Sequence, residues 1–96
     1  MKITRLPREI KNEELLAVHH NLVCNIRLAR MHVGLTQKEM GAMLGYESST
    51  ALSLIEDGAR KITAVTLWKI AQITGEPIQN FYLKGLIPGE DKLTND

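Results

Sequence analysis

The chain has 96 residues, 44% of them apolar and 24% charged, which is room for one folded domain and too apolar a mix for a disordered chain. Its 12 Lys and Arg against 11 Asp and Glu leave a net charge of +1, which excludes a strongly basic coating protein but not a local charged face. No apolar run approaches the roughly 18 residues of a membrane span, the opening MKITRLPREIKNEE lacks a secretory apolar stretch, and a single cysteine excludes an internal disulfide or a multi-cysteine zinc site; the expected compartment is cytoplasmic.

Residues 1–11 carry Lys2, Arg5, Arg8 and Lys11 against Glu9 alone, with Pro7 and no sustained period. They read as a basic N-terminal arm. A first helix is expected from Asn12, with Asn12 as cap and Glu13 and Glu14 at the positive end of its dipole. Leu15, Val18, Leu22, Ile26, Ala29 and Val33 recur at spacings of three and four and so share one helical face. Gly34 ends that helix.

Thr36 and Glu39 form the two halves of a capping box for a short second helix. Met40, Met43 and Leu44 give its apolar face, and Gly45 stops it. After Tyr46-Glu47, any of Ser48, Ser49 or Thr50 can cap a third helix that carries Ala51, Leu52, Leu54 and Ile55 and ends at Asp57-Gly58. Thr63 caps a fourth helix with Val65, Leu67, Trp68, Ile70, Ala71 and Ile73, stopped by Gly75; Trp68 reads as core. Pro77 suits the first turn of a fifth helix, with Ile78, Phe81, Tyr82 and Leu83 facing inward. Gly85 and Pro88-Gly89 then break the chain, and residues 85–96 read as a short polar C-terminal tail. No segment alternates with period two. The fold class expected is all-α, a compact five-helix domain over residues 12–84.

Two short helices with a glycine between them are the sequence form of a helix-turn-helix. The particular residues go further. Ile26-Arg27-x-x-Arg30, Gly34-Leu35-Thr36-Gln37, Leu44-Gly45, Leu52-Ser53-x-Ile55-Glu56-x-Gly58, Arg60-Lys61 and Leu67-x-x-Ile70-Ala71 stand in order over about half the chain. This pattern resembles the Cro/CI-type (XRE, lambda-repressor-like) DNA-binding domain family.

The resemblance implies binding to double-stranded DNA, with the third helix, from about Ser48 to Glu56, in the major groove. Its base-reading residues would be Ser48, Ser49, Thr50 and Ser53, with Leu54 at the flank. Gln37, at the start of the second helix, would meet a phosphate and can brace the recognition helix. Glu56 would hold the third helix and the loop after it. Arg60 and Lys61 would meet phosphates. Arg27 and Arg30 would either touch phosphates or be solvated or paired with Glu39.

The sequence departs from the family pattern in two ways. The interval from Gly45 to Glu56 is one residue longer than usual, so the turn or the first residues of the third helix must absorb it. The recognition surface also lacks Arg, Asn, Gln and Lys, the side chains of the bidentate base contacts. Either base reading is undemanding, or the arm and DNA shape carry more of it.

The function expected is sequence-specific DNA binding and transcriptional regulation, as a repressor and homodimer on half-sites about 34 Å apart. Two dimer surfaces are open: Leu83, Leu86 and Ile87, or Leu16, Val23 and Leu28 of the first helix. The alternative is a protein-interaction module with weak or lost DNA contact and a partner such as a toxin. No nucleophile with a base, paired acids or phosphate loop points to an enzyme. No cofactor is implied. His20 and Cys24 stand four apart, but two ligands do not make a metal site; they read as a surface histidine and a small buried thiol. Met31, Met40 and Met43 read as gap-fillers, and His32 as a cation suited to a helix end.

Overall fold

A computed structural model of the protein describes residues 7–89. Four α-helices follow in order: α1 (Asn12–His32), α2 (Gln37–Met43), α3 (Thr50–Glu56) and α4 (Ala64–Thr74). A 3-10 helix, Ile78–Tyr82, stands in the place of the fifth. There is no strand among the described residues.

Local chemistry sets the helix ends. At α2 the Thr36 Oγ1 accepts from the Glu39 N–H at 3.0 Å, and the Glu39 carboxylate accepts from the Thr36 N–H at 2.9 Å, satisfying donors that an uncapped helix start leaves open. At α4 the Thr63 hydroxyl accepts from the Thr66 N–H. At α1 the cap falls one residue earlier than expected. Lys11 holds that position, and Glu14 accepts from its backbone N–H at 3.2 Å. Gly34, with φ of 79°, reverses the chain between α1 and α2 in a conformation that a side chain would strain.

The core is one cluster. Leu22, Ile26 and Ala29 of α1 meet Met40 of α2 and its C-cap residue Leu44, Leu52 and Ile55 of α3, Leu67, Ile70 and Ala71 of α4, and Phe81. Of the α1 stripe, only its middle is covered. Leu15 and Val18 are exposed along a groove whose other wall is the loop from Gly58 to Ile62, and Val33 is exposed after the last turn.

Trp68 is not core: it is 56% exposed. The buried stripe of α4 is Leu67, Ile70, Ala71 and Thr74, and residue 68 sits one helical step, about 100°, off that line. Among the described methionines Met40 alone fills the core, and Met31 and Met43 are exposed.

The 3-10 helix is short because its surroundings capture its carbonyls. The buried Asn25 amide donates to Phe81 O at 2.9 Å and to Leu83 O at 2.6 Å, and Leu83 is already extended. Phe81 is buried, whereas Ile78, Tyr82 and Leu83 are exposed. Beyond it, Leu86 returns to the interior, and the Gly89 N–H donates to the buried Glu76 carboxylate at 2.6 Å.

Candidate nucleic-acid interface

The last residue of α3 anchors the interface. The Glu56 side chain is fully buried. Its Oε2 accepts from Arg30 Nε at 2.7 Å, and its Oε1 from Arg30 Nη2 and Gln37 Nε2, each at 3.0 Å. Arg27 Nε adds a longer contact at 3.5 Å. Burial pushes the Glu56 carboxyl up, but the bonds from Arg30 and Gln37, the Arg30 charge and the Arg27 bond outweigh it. Its pKa lies below the ordinary 4.5. Arg30 also donates to Leu35 O at 2.8 Å. One carboxylate therefore ties α3 to α1, to the α1–α2 turn and to the first residue of α2.

This network fixes two of the sequence-singled residues. Gln37 lies half-buried against Glu56. Arg27 has its guanidinium between Glu56 and Asp57, with Nη2 donating to Glu56 O at 3.2 Å and to Asp57 Oδ1 at 3.4 Å, while its side chain stays 47% exposed. The carboxylates that pair with Arg27 and Arg30 are these and not Glu39, whose oxygens serve the α2 cap.

The link from α2 to α3 absorbs the extra residue. It runs from Leu44 to Ser49, and α3 begins at Thr50 rather than Ser48. Ser49 is the N-cap residue, but its side chain makes no capping bond; the Ser48 Oγ instead accepts from the Thr50 N–H at 3.3 Å. Leu52 and Ile55 turn into the core. Ser48, Thr50 and Leu54 are exposed, and Ser49 and Ser53 are half-buried. The outer side of α3 is thus free of its own polypeptide and carries hydroxyls around one leucine.

After α3, Gly58 takes a φ of 81°, and the N–H groups of Ala59 and Arg60 both return to Leu54 O. Residue 60 is thereby laid beside the last turn of α3. The Arg60 guanidinium stands over the Tyr46 ring, 5.6 Å from its centroid. Arg60, Tyr46, Ser48, Thr50 and Leu54 line one cleft of about 420 Å³ beside α3, together with Glu47. Lys61 is exposed and lines a second, apolar groove of about 760 Å³ with Leu15, Val18, Leu22 and Ile62.

From sequence Tyr46 and Glu47 are a turn; in the structure both line the cleft beside α3. Nothing in a local pattern links Tyr46 to a residue 14 positions later. Of the arm, Lys2 and Arg5 lie outside the described residues; Arg8 pairs with Glu14 at 2.9 Å, and Lys11 belongs to the α1 cap. The tail charges Glu90, Asp91, Lys92 and Asp96 also lie outside.

His20 and Cys24 do meet, with Sγ 3.6 Å from Nε2, but the thiol is exposed rather than buried. No group of three His, Cys, Asp or Glu able to hold a metal occurs among the described residues. No helix there is long and apolar enough to cross a membrane.

Residues 26–81 match the family described as helix-turn-helix. Among solved structures the chain is similar to the crystal structure of a hypothetical transcription factor, NHTF, from Neisseria. The identity is 26% and the TM-score 0.66, over 84% of this chain and 90% of that one. The search of curated proteins gives no match.

Proposed function

The chain belongs to the Cro/CI-type (XRE) helix-turn-helix family, and from that premise we propose that it binds double-stranded DNA sequence-specifically and regulates transcription, as a repressor and a homodimer. The observation that carries this reading is the uncovered outer side of α3, held rigid from behind by the buried Glu56. A helix presented in this way enters a major groove. Thr50, with Ser48, Ser49 and Ser53 around it, faces base edges. Lys61, Gln37 and Arg27 take phosphates, the last two with donors left over from Glu56. Arg60 adds positive charge at the end of α3. Placing rigidly held donors against phosphates fixes register, and the base edges then supply discrimination. The protein acts by binding, with no catalytic step.

A homodimer doubles the few contacts that a seven-residue recognition helix makes. Of the surfaces considered from sequence, Val23 and Leu86 are buried and so unavailable, whereas Leu16, Leu28, Leu83 and Ile87 are exposed.

The test is enrichment of duplexes from a random pool by the full-length protein, followed by binding across a salt series. A DNA binder loses affinity as salt rises, with log K falling by roughly 0.9 per phosphate neutralised. Lys61→Ala is expected to lower that slope by about one phosphate's share. Binding that ignores salt sinks the reading.

One observation favours a second reading, a protein-interaction module. Leu15, Leu16 and Val18 leave the first turns of α1 apolar and exposed beside the groove that ends at Ile62, and the net charge is only +1. A partner bound there, with no enriched duplex, would establish it.

A further inference from the structure

We propose that Arg60 reads a base, taking the O6 and N7 edge of a guanine in the major groove, and that Tyr46 is the positioning residue that holds its guanidinium for that contact. This rests on the DNA-binding reading above and assigns a specificity determinant within it.

Hydroxyls and one leucine occupy the outer side of α3. They discriminate weakly, because the selective contacts are bidentate and need a fork of two donors or a donor–acceptor pair. Arg60 supplies the missing fork. Its backbone N–H is bound to Leu54 O at 3.2 Å, so it starts from the end of α3, and its side chain lines the same cleft as Thr50 and Leu54. It therefore borders the surface that faces bases.

The ring beneath it holds the fork in place. Tyr46 is half-buried against the core, and its N–H is bonded to Gly41 O at 2.9 Å, so the ring is a fixed platform. A guanidinium 5.6 Å above that ring lies within the roughly 6 Å range of a cation–π contact and gives up rotamer freedom before DNA arrives. Two parallel N–H bonds to a purine edge gain a great deal from such alignment. A phosphate also accepts such a fork; what favours a base is the place of Arg60 in the cleft lined by Thr50 and Leu54, on the outer side of α3. Glu47 lines the same cleft, yet Arg60 forms no ion pair among the described residues, where the guanidinium pairs are those of Arg8, Arg27 and Arg30. Its donors remain open. The neighbouring Lys61, an exposed point charge, suits a phosphate.

The experiment uses full-length protein and the duplex enriched from a random pool, read by fluorescence anisotropy at fixed salt. One guanine of the enriched site is expected to be sensitive to 7-deazaguanine, which lacks N7. The loss should be roughly tenfold, the scale of a bidentate contact. Inosine, which keeps O6 and N7, should bind like guanine. Arg60→Ala should weaken the parent duplex and abolish the 7-deazaguanine effect. Tyr46→Phe, which keeps the ring, should retain the effect, and Tyr46→Leu should reduce it. If Arg60→Ala weakens every duplex equally and only lowers the salt slope, Arg60 is a phosphate contact and the proposal falls alone. If Arg60→Ala changes no affinity, it also falls alone. If no duplex is enriched at all, the DNA-binding reading falls with it.

Discussion

Arg30 of α1 and Glu56 of α3, 26 residues apart in sequence, form a two-bond ion pair at 2.7 and 3.0 Å with the carboxylate side chain fully buried. This pair ties the end of α3 to α1, behind the core packing of Leu52 and Ile55. Removing the arginine strands a buried carboxylate, and breaking a buried pair in this way costs about 3–5 kcal/mol. Arg30→Ala is therefore expected to lose on that order of stability in urea unfolding, softened by the remaining bonds from Gln37 and Arg27. Arg27→Ala is expected to cost less than about 1 kcal/mol, since its side chain is nearly half exposed and screened. Equal losses from the two would show that Glu56 does not depend on Arg30.

The same carboxylate makes stability depend on pH. Burial raises the Glu56 pKa, but the bonds from Arg30 and Gln37 more than reverse this, leaving it below the ordinary 4.5. The unfolded chain therefore takes up the proton first as pH falls. The stabilisation is fully present above about pH 4.5 and is lost as pH drops through the folded value. Glu14 and Glu39 are lowered too, chiefly by the backbone N–H groups of Lys11 and Thr36, so Glu56 accounts for part of the slope. Glu56→Gln is expected to be less stable than the parent at pH 7 and to lose less on going to about pH 3.5. Parallel pH profiles for the two proteins would remove Glu56 from the acid transition.

Two glycines near the interface separate backbone demand from space. Gly58 turns the chain out of α3 with a φ of 81°, and a Cβ there would meet only the His19 ring at 3.5 Å. Strain in the left-handed region decides, so Gly58→Ala is expected to cost about 1–2 kcal/mol. Gly41 lies within α2 and has no such φ, and its Cβ would stand 3.4 Å from Ser48 O, an ordinary contact. Gly41→Ala is expected to gain about 0.5–1 kcal/mol from helix propensity. Thermal midpoints that move in the same direction for both would contradict this division.

What the sequence made legible is what local chemistry decides. The Thr36–Glu39 capping box, the breaks at Gly34 and Gly75, and the stripe Leu22, Ile26 and Ala29 are each contained within a few residues. The outer side of Trp68 and the uncovered Leu15 and Val18 were not legible. Their burial depends on what the rest of the fold sets beside them, and periodicity along one helix carries no record of that. The Glu56 network lay between these cases. The resemblance pointed to Glu56 as a structural residue, but the choice of Arg30 over Arg27 as its close partner is set by how α1 rotates against α3. The seat of Arg60 on Tyr46 joins a turn to a loop and has no sequence period at all.

Leu54 stands between Thr50 and Arg60 on the outer side of α3 and is 41% exposed. Part of it is covered, but its outward part has no apolar neighbour in the core, which Leu52 and Ile55 face. In a major groove the apolar feature available to it is the thymine methyl group. Leu54→Ala is therefore expected to cost less stability than the roughly 2–5 kcal/mol of a core leucine, while reducing preference at one thymine of the enriched site. Replacing that thymine by uracil removes the methyl and keeps every hydrogen-bonding group. Uracil should weaken the parent protein and leave Leu54→Ala unaffected, so the two losses do not add. Should uracil weaken both proteins equally, the leucine does not touch the methyl, and the apolar side chain beside Arg60 serves some other contact of this surface.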